Sequence, residues 1–137
     1  MKKIFLLFFV SIFLISCDTD TTTQTDVNDP MSGYMIGNDQ KSNAMVNFTK
    51  AYQDNNLESV KAMFSEDAVF HINDADINFN ELNQAFSAGH EFFDNINHSE
   101  YHVSTMYYND GAIFTNYWYT WTATSKKTSE VLNLKGY

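Results

Sequence analysis

The 137-residue chain contains no arginine, and its eight basic residues are lysines set against 17 aspartates and glutamates. The formal net charge of -9 argues against nucleic-acid binding, because phosphate backbones are bound by basic surfaces. The absence of guanidinium groups also removes the bidentate clamps that commonly hold phosphate and carboxylate substrates. We therefore expect no nucleic-acid partner for this protein.

Cysteine is equally scarce, since Cys17 is the only one in the chain. A single thiol excludes an intrachain disulfide, a cysteine-based zinc site and an iron–sulfur cluster held by this chain alone. Histidines do not supply a metal site in place of cysteines. His98 and His102 are four positions apart on an extended strand, and about 13 Å would separate them, too far to bind one metal ion. No other spacing of histidines and carboxylates resembles a ligand set, so we expect no metal and no cofactor.

The chain has a single long apolar run, residues 4–15, and it is too short to cross a membrane. Twelve helical residues cover about 18 Å, whereas the hydrocarbon core is about 30 Å thick. The run follows Lys2 and Lys3, which is typical of a signal peptide. It ends in Leu14-Ile15-Ser16-Cys17, a sequence that resembles the lipobox of bacterial lipoproteins.

The lipobox resemblance implies that residues 1–16 are a signal peptide and that the mature chain begins at a lipidated Cys17. Its acyl chains, palmitate among them, would anchor the protein to a membrane of the bacterial cell envelope, at about 0.8 kcal/mol per buried methylene. The choice between the inner and the outer membrane stays open, although the sequence slightly favours the outer membrane. The alternative is an ordinary secretory signal with a chance cysteine.

The segment after the cysteine is poor in apolar and basic residues. Residues 18–40 contain five acidic side chains, no basic side chain and Pro30, the only proline of the chain. Such a composition does not offset the entropy lost on ordering. We predict that residues 17–40 form a lipidated disordered tether, spanning about 25 Å as a flexible chain.

Residues 41–137 carry the periodic patterns of a folded domain. Apolar residues at helical spacing predict two helices, and Asn78 with Glu81 three positions later predicts the start of a third. From Tyr101 the pattern changes to period two, which is typical of strands. The predicted helices cover about 41–56, 57–64 and 78–94, and the predicted strands cover 68–72, 101–108, 112–123 and 130–137.

This order of elements resembles the nuclear transport factor 2-like (SnoaL-like) superfamily. The most similar stretch is Tyr52–Phe70, in which an aromatic helix, an acidic turn, a second helix and Glu-Asp-Ala-Val lead into a strand. The resemblance implies an α+β cone, with a curved antiparallel sheet packed on three N-terminal helices around an apolar cavity. Family domains usually close with a further strand. Because the chain stops at Tyr137 within an apolar strand pattern, we interpret the domain as lacking its final strand.

Two enzyme layouts known on this fold are missing from the sequence. Ketosteroid isomerases need an aspartate base and a tyrosine donor, and Ile72 and Phe48 stand at the matching positions. Limonene epoxide hydrolases use an Asp-Arg-Asp arrangement, and the chain has no arginine. A weak catalytic candidate remains, His90 with Asp94 four positions later on the predicted third helix, where the carboxylate would orient the imidazole. The plainer alternative is a helix-end histidine beside a carboxylate.

The predicted strand 112–123 carries aromatic side chains on both faces. Alternation places Tyr117 and Trp121 on one face and Asn116 and Trp118 on the other, and it does not decide which face lines the cavity. All four are candidate ligand-binding residues, because aromatic rings and an amide can orient a flat molecule by stacking and a hydrogen bond. The remaining face would then be covered by a partner, such as a second copy in a homodimer.

Three functions remain open at this point. The first is a membrane-anchored lipoprotein whose cone binds a small apolar or aromatic molecule, with no assigned reaction. The second is an enzyme of the hydratase, isomerase or cyclase type using His90 in the cone, and the third is a dimerising interaction module. We favour binding, because an aromatic-rich pocket is combined with missing catalytic layouts. Whether the protein is an enzyme stays undecided.

Overall fold

The structure is a computed structural model that describes residues 27–137. The predicted signal peptide, Cys17 and the first part of the predicted tether lie outside the described residues. The described elements are, in chain order, β1 (Gly33–Ile36), α1 (Gln40–Gln53), a 3₁₀ helix (Leu57–Met63), β2 (Phe70–Ile72), β3 (Ala75–Ile77), α2 (Phe79–Phe92), β4 (Phe93–Tyr108), β5 (Ile113–Ser125) and β6 (Val131–Gly136).

The domain is α+β, as predicted, with three helices and a curved antiparallel sheet. The main sheet has the strand order β1-β4-β5-β6, and β2 with β3 forms a separate small hairpin. The helices pack through a cluster of apolar side chains around Leu57, which is 2% exposed. None of the helices within residues 27–137 is long and apolar enough to cross a membrane.

Strand β1 lies within the segment predicted to be disordered, so that prediction is wrong for residues 33–36. The strand pairs antiparallel with the end of β4, and the ring of Tyr34 stacks on that of Tyr107 with centroids 5.1 Å apart. Gly33 allows the close approach, because a Cβ there would lie 2.0 Å from the Tyr107 carbonyl oxygen. Tertiary pairing therefore orders a short apolar sequence that is surrounded by polar residues.

Helix α1 is fixed to the sheet by the side chain that caps it. The Asp39 carboxylate accepts hydrogen bonds from the Ser42 backbone N–H at 2.7 Å, the Thr105 hydroxyl at 2.9 Å and the Tyr107 hydroxyl. The Tyr107 hydroxyl is the main cause that holds the pKa of Asp39 well below its usual range. Ser42 and Thr105 are fully buried and bonded to each other, so this network sets the position of α1 over β4.

Helix α2 begins as predicted and ends earlier than predicted. Asn78 and Glu81 form a complete capping box, in which each side chain accepts from the other residue's backbone N–H. The helix stops at Phe92, and Phe93 is already extended with φ -130°. The ring of Phe93 packs edge-on against Trp121 at 5.3 Å, which stabilises the change from helix to strand.

Strand β4 begins at Phe93, well before the predicted start at Tyr101. Two irregularities interrupt its pairing with β5, and Asn95 and Glu100 adopt positive φ angles of 55° and 48° within them. Each bulge shifts the alternation of side chains by one position. The inner face of β4 therefore carries Phe93, Ile96, His98, Tyr101 and Val103.

Candidate functional site

A cavity of about 280 Å³ lies between helix α1 and the inner face of β5. A cavity of about 150 Å³ is large enough for benzene, so this one has room for roughly twelve non-hydrogen atoms. Most of its wall is aromatic, and α1, α2, β4 and β5 all contribute to it. The lining residues are Met45, Phe48, Thr49, Tyr52, Phe86, His98, Tyr117, Tyr119 and Trp121.

Tyr52 and Trp121 connect α1 to β5 at the wall of the cavity. The Trp121 indole Nε1–H donates a hydrogen bond of 3.0 Å to the Tyr52 hydroxyl. The Tyr52 ring also contacts Phe86 with centroids 4.9 Å apart, which brings α2 into the same wall. Burial raises the pKa of Tyr52 above its ordinary value, so its hydroxyl stays protonated at neutral pH.

His98 is the polar side chain that stands out in this wall. Its ring stacks on Tyr119 with centroids 4.0 Å apart and planes 16° apart, and it also contacts Tyr52 and Tyr117. Both ring nitrogens are buried, and neither has a hydrogen-bond partner in the described part of the chain. Burial lowers the pKa of His98 to about 4, so the imidazole is neutral at pH 7. An unpartnered buried polar group costs about 1–3 kcal/mol.

The cavity carries no formal charge at neutral pH. Among the described residues that line it there is no lysine, aspartate or glutamate. Burial also raises the pKa of Tyr117, which a hydrogen bond with the Thr49 side chain partly offsets. A lining of neutral rings with a few hydroxyl and imidazole groups favours an uncharged flat molecule, because an unpaired ion would lose its hydration without compensation.

The structure separates the four predicted ligand-binding residues into two pairs. Tyr117 and Trp121 lie in the wall of the cavity. Asn116 and Trp118 lie on the opposite face of β5, where the Trp118 side chain is 47% exposed and its backbone pairs with His102. The face that alternation left undecided is therefore the one with Tyr117 and Trp121, and Asn116 and Trp118 do not line the cavity.

The predicted pairing of His90 with Asp94 on one helix is wrong, because α2 ends between the two residues. His90 belongs to the last turn of α2, whereas Asp94 belongs to β4. The His90 Nε2–H donates to the backbone oxygen of Tyr52 at 2.8 Å, and the Asp94 carboxylate instead faces the Lys126 ammonium at 3.4 Å. Neither residue lines the cavity.

Seven of the nine wall residues were not among the predicted site residues, and Tyr52, His98 and Tyr119 are the polar aromatic ones among them. Tyr119 shares a predicted strand face with Tyr117 and Trp121, so alternation alone was enough to group it with them. His98 carries no such signal, because the two bulges of β4 break the period-two pattern on both sides of it. A contact across many residues, such as that between Tyr52 and Trp121, has no signature in a single sequence.

The other histidines do not assemble into a further site. His71 pairs with Asp76 across the β2–β3 hairpin, and both side chains are largely exposed. Within residues 27–137, no group of three histidine, cysteine, aspartate or glutamate side chains is arranged to hold a metal ion.

The chain matches no protein-family model, and neither a curated protein nor a solved structure is detectably similar to it.

Proposed function

We propose that the protein is a lipid-anchored binding protein of the bacterial cell envelope. Its nuclear transport factor 2-like domain, residues 41–137, would take up a small apolar or aromatic molecule. The observation that carries the binding function is the aromatic-walled cavity of about 280 Å³. The anchor rests on the lipobox-like sequence ending at Cys17, which lies outside the described residues.

The size of the cavity supports a binding function. The cavity is partly open to the surface, so a ligand can enter it. The volume here equals that of about nine water molecules in the liquid, at about 30 Å³ each. It lies just below the usual range of ligand sites, which begins at about 300 Å³.

The chemistry of the wall supports binding without an assigned reaction. General acid–base catalysis uses groups whose protons exchange near the working pH, and carboxylates are absent from the described lining residues. His90, the residue proposed from the sequence for an enzyme, is engaged by the Tyr52 backbone and lies away from the cavity wall. The stacked rings and few polar groups suit the retention of a flat ligand.

The two tryptophans of the chain provide a direct test, since they lie on opposite faces of β5. The Trp118→Phe variant keeps only Trp121 as a reporter in the cavity wall. The Trp121→Phe variant keeps only Trp118 on the outer face and is the matched control. We expect para-tert-butyltoluene to change the emission of the first variant saturably and to leave the second unchanged. Unchanged emission in both variants, with their fold verified by circular dichroism, overturns the proposal.

A dimerising function is a second candidate, supported by the outer face of the sheet. Met35 is 65% exposed, Phe114 is 58% exposed and Trp118 is 47% exposed, and the strand register brings Met35 and Phe114 to either side of Met106. Exposed apolar patches often mark interaction surfaces. Analytical ultracentrifugation tests it: Trp118→Ala should weaken a dimer, whereas a strictly monomeric parent chain rules this candidate out.

A further inference from the structure

We infer that the cavity selects a phenol, a small aromatic molecule whose uncharged hydroxyl bonds to the imidazole of His98. This inference rests on the proposed binding function and names the class of ligand that the same site takes. It is carried by a combination of two features. One is a cavity walled by aromatic rings, and the other is a buried imidazole in that wall with both nitrogens unpartnered among the described residues.

The orientation of His98 decides where the ligand's polar group must lie. One face of the imidazole is covered by the parallel ring of Tyr119 at 4.0 Å, and Tyr52 and Tyr117 approach at 5.5 and 5.8 Å. Hydrogen bonds to an imidazole form in the ring plane, at its nitrogens. The ligand's polar group must therefore meet the ring edge, while its aromatic body lies among the rings of the wall.

The neutral state of His98 favours a hydroxyl over charged groups. A neutral imidazole offers one N–H donor and one bare nitrogen acceptor. A hydroxyl both donates and accepts, so it pairs with whichever nitrogen it meets, in either tautomer. An ammonium group or a carboxylate would instead bring an unpaired charge into a wall without lysine, aspartate or glutamate among its described residues.

The volume limits the size of the phenol. About 280 Å³ fits one substituted ring or two fused rings, by comparison with a benzene-sized cavity of about 150 Å³. Both nitrogens of His98 are covered by surrounding atoms, so a neighbouring side chain must rotate before the hydroxyl reaches them. A side-chain rotation leaves the backbone in place.

The test compares two ligands of nearly identical shape, para-tert-butylphenol and para-tert-butyltoluene, in which a hydroxyl replaces a methyl group. Their dissociation constants are measured by calorimetry on the full-length chain. We expect the phenol to bind about fivefold to tenfold more tightly, as one net hydrogen bond predicts. In the His98→Phe variant, which keeps a ring and removes both nitrogens, the hydroxyl is buried without a partner and the order should reverse.

Nitrogen NMR of His98 in the unmodified chain gives a second readout that does not depend on a variant folding. The phenol should shift one ring-nitrogen resonance by the change expected for a new hydrogen bond, and the toluene should not. Equal binding of the two ligands, with no nitrogen shift, overturns the selectivity for phenols while leaving the proposed binding function standing. Failure of both ligands to bind overturns the binding function itself, and the inference with it.

Discussion

At the scale of single residues, the wall of the cavity depends on a contact between Tyr119 and a glycine. A Cβ added to Gly136 would lie 2.3 Å from the Tyr119 Cζ, so the absence of a side chain leaves room for that ring. The same ring stacks on His98. Gly136 therefore influences the position of His98 through Tyr119, although it does not line the cavity.

The Gly136→Ala variant should displace the Tyr119 ring and disturb its stacking on His98. We expect a loss of about 1 kcal/mol in the free energy of unfolding, because the clash is with the movable end of a side chain. Gly89→Ala in α2 is the matched control, since nothing lies within 4 Å of its added Cβ. A helical glycine replaced by alanine should instead gain about 0.5–1 kcal/mol. Urea denaturation measures both, and unchanged His98 ring resonances in Gly136→Ala would contradict the coupling.

The burial of His98 predicts a dependence of stability on pH. Its pKa falls from 6.5 in the unfolded chain to about 4 in the fold, so between these values the unfolded chain binds more protons. The contribution of His98 to the free energy of unfolding is fully present above pH 6.5, and it is lost as the pH falls towards 4. We expect a loss of about 1–2 kcal/mol, less than the full pKa difference implies, because the residue is partly exposed.

Urea denaturation at pH 7 and pH 4.5 measures this loss, and the His98→Phe variant is its control. The variant has no titrating group at this position, so its stability should change less between the two pH values. An identical pH dependence in both proteins would show that other groups, and not His98, cause the acid destabilisation.

At the scale of elements, local signals in the sequence predicted some boundaries and missed others. The capping box at Asn78 and the strand β5 follow from nearby residues, and the structure confirms them. The first half of β4 does not follow, because its bulges break the alternation that identifies a strand. β1 was missed because its order comes from pairing with β4, about 70 residues away in sequence.

The capping box is a sensitive point of α2, and its removal should be measurable. Asn78→Ala removes the acceptor for the backbone N–H groups of Asn80 and Glu81, which should cost about 1 kcal/mol of unfolding free energy. Gln84→Ala, at an exposed position of the same helix, should change stability by less than about 0.5 kcal/mol. Equal losses in the two variants, measured by thermal denaturation, would argue against a role for the cap.

At the scale of the whole molecule, composition and element order predicted an α+β domain but not its site. Two of the four predicted ligand-binding residues lie in the cavity wall, because alternation groups Tyr117 with Trp121 correctly. The predicted pairing of His90 with Asp94 is wrong, because it requires a helix through Asp94 and α2 ends at Phe92, two positions before it. The sequence offers His98 only as a possible metal ligand, and its spacing from His102 excludes that role. Tertiary packing leaves its ring nitrogens without a hydrogen-bond partner among residues 27–137, and no local pattern records this.

The proposed membrane anchor concerns the whole molecule, and it predicts a clear outcome for one substitution. Removal of residues 1–16 leaves six lysines against 17 acidic residues, a net charge of -11, so anionic headgroups repel the body of the protein. The proposed anchor therefore depends on a lipid attached to Cys17. Cys17→Ser should move the protein to the soluble fraction, whereas Ser16→Ala, which keeps a small residue before the cysteine, should not. Continued sedimentation of Cys17→Ser with membranes would contradict the anchor.

The central claim is that the cavity between α1 and β5 holds a small aromatic molecule. The most direct measurement is a crystal structure of the protein grown with para-iodophenol, whose iodine is located by anomalous scattering. We expect an iodine peak inside the wall formed by Phe48, Tyr117 and Trp121, with the phenol hydroxyl at the His98 ring edge. A cavity without iodine, with peaks confined to the outer face around Trp118, would contradict the claim.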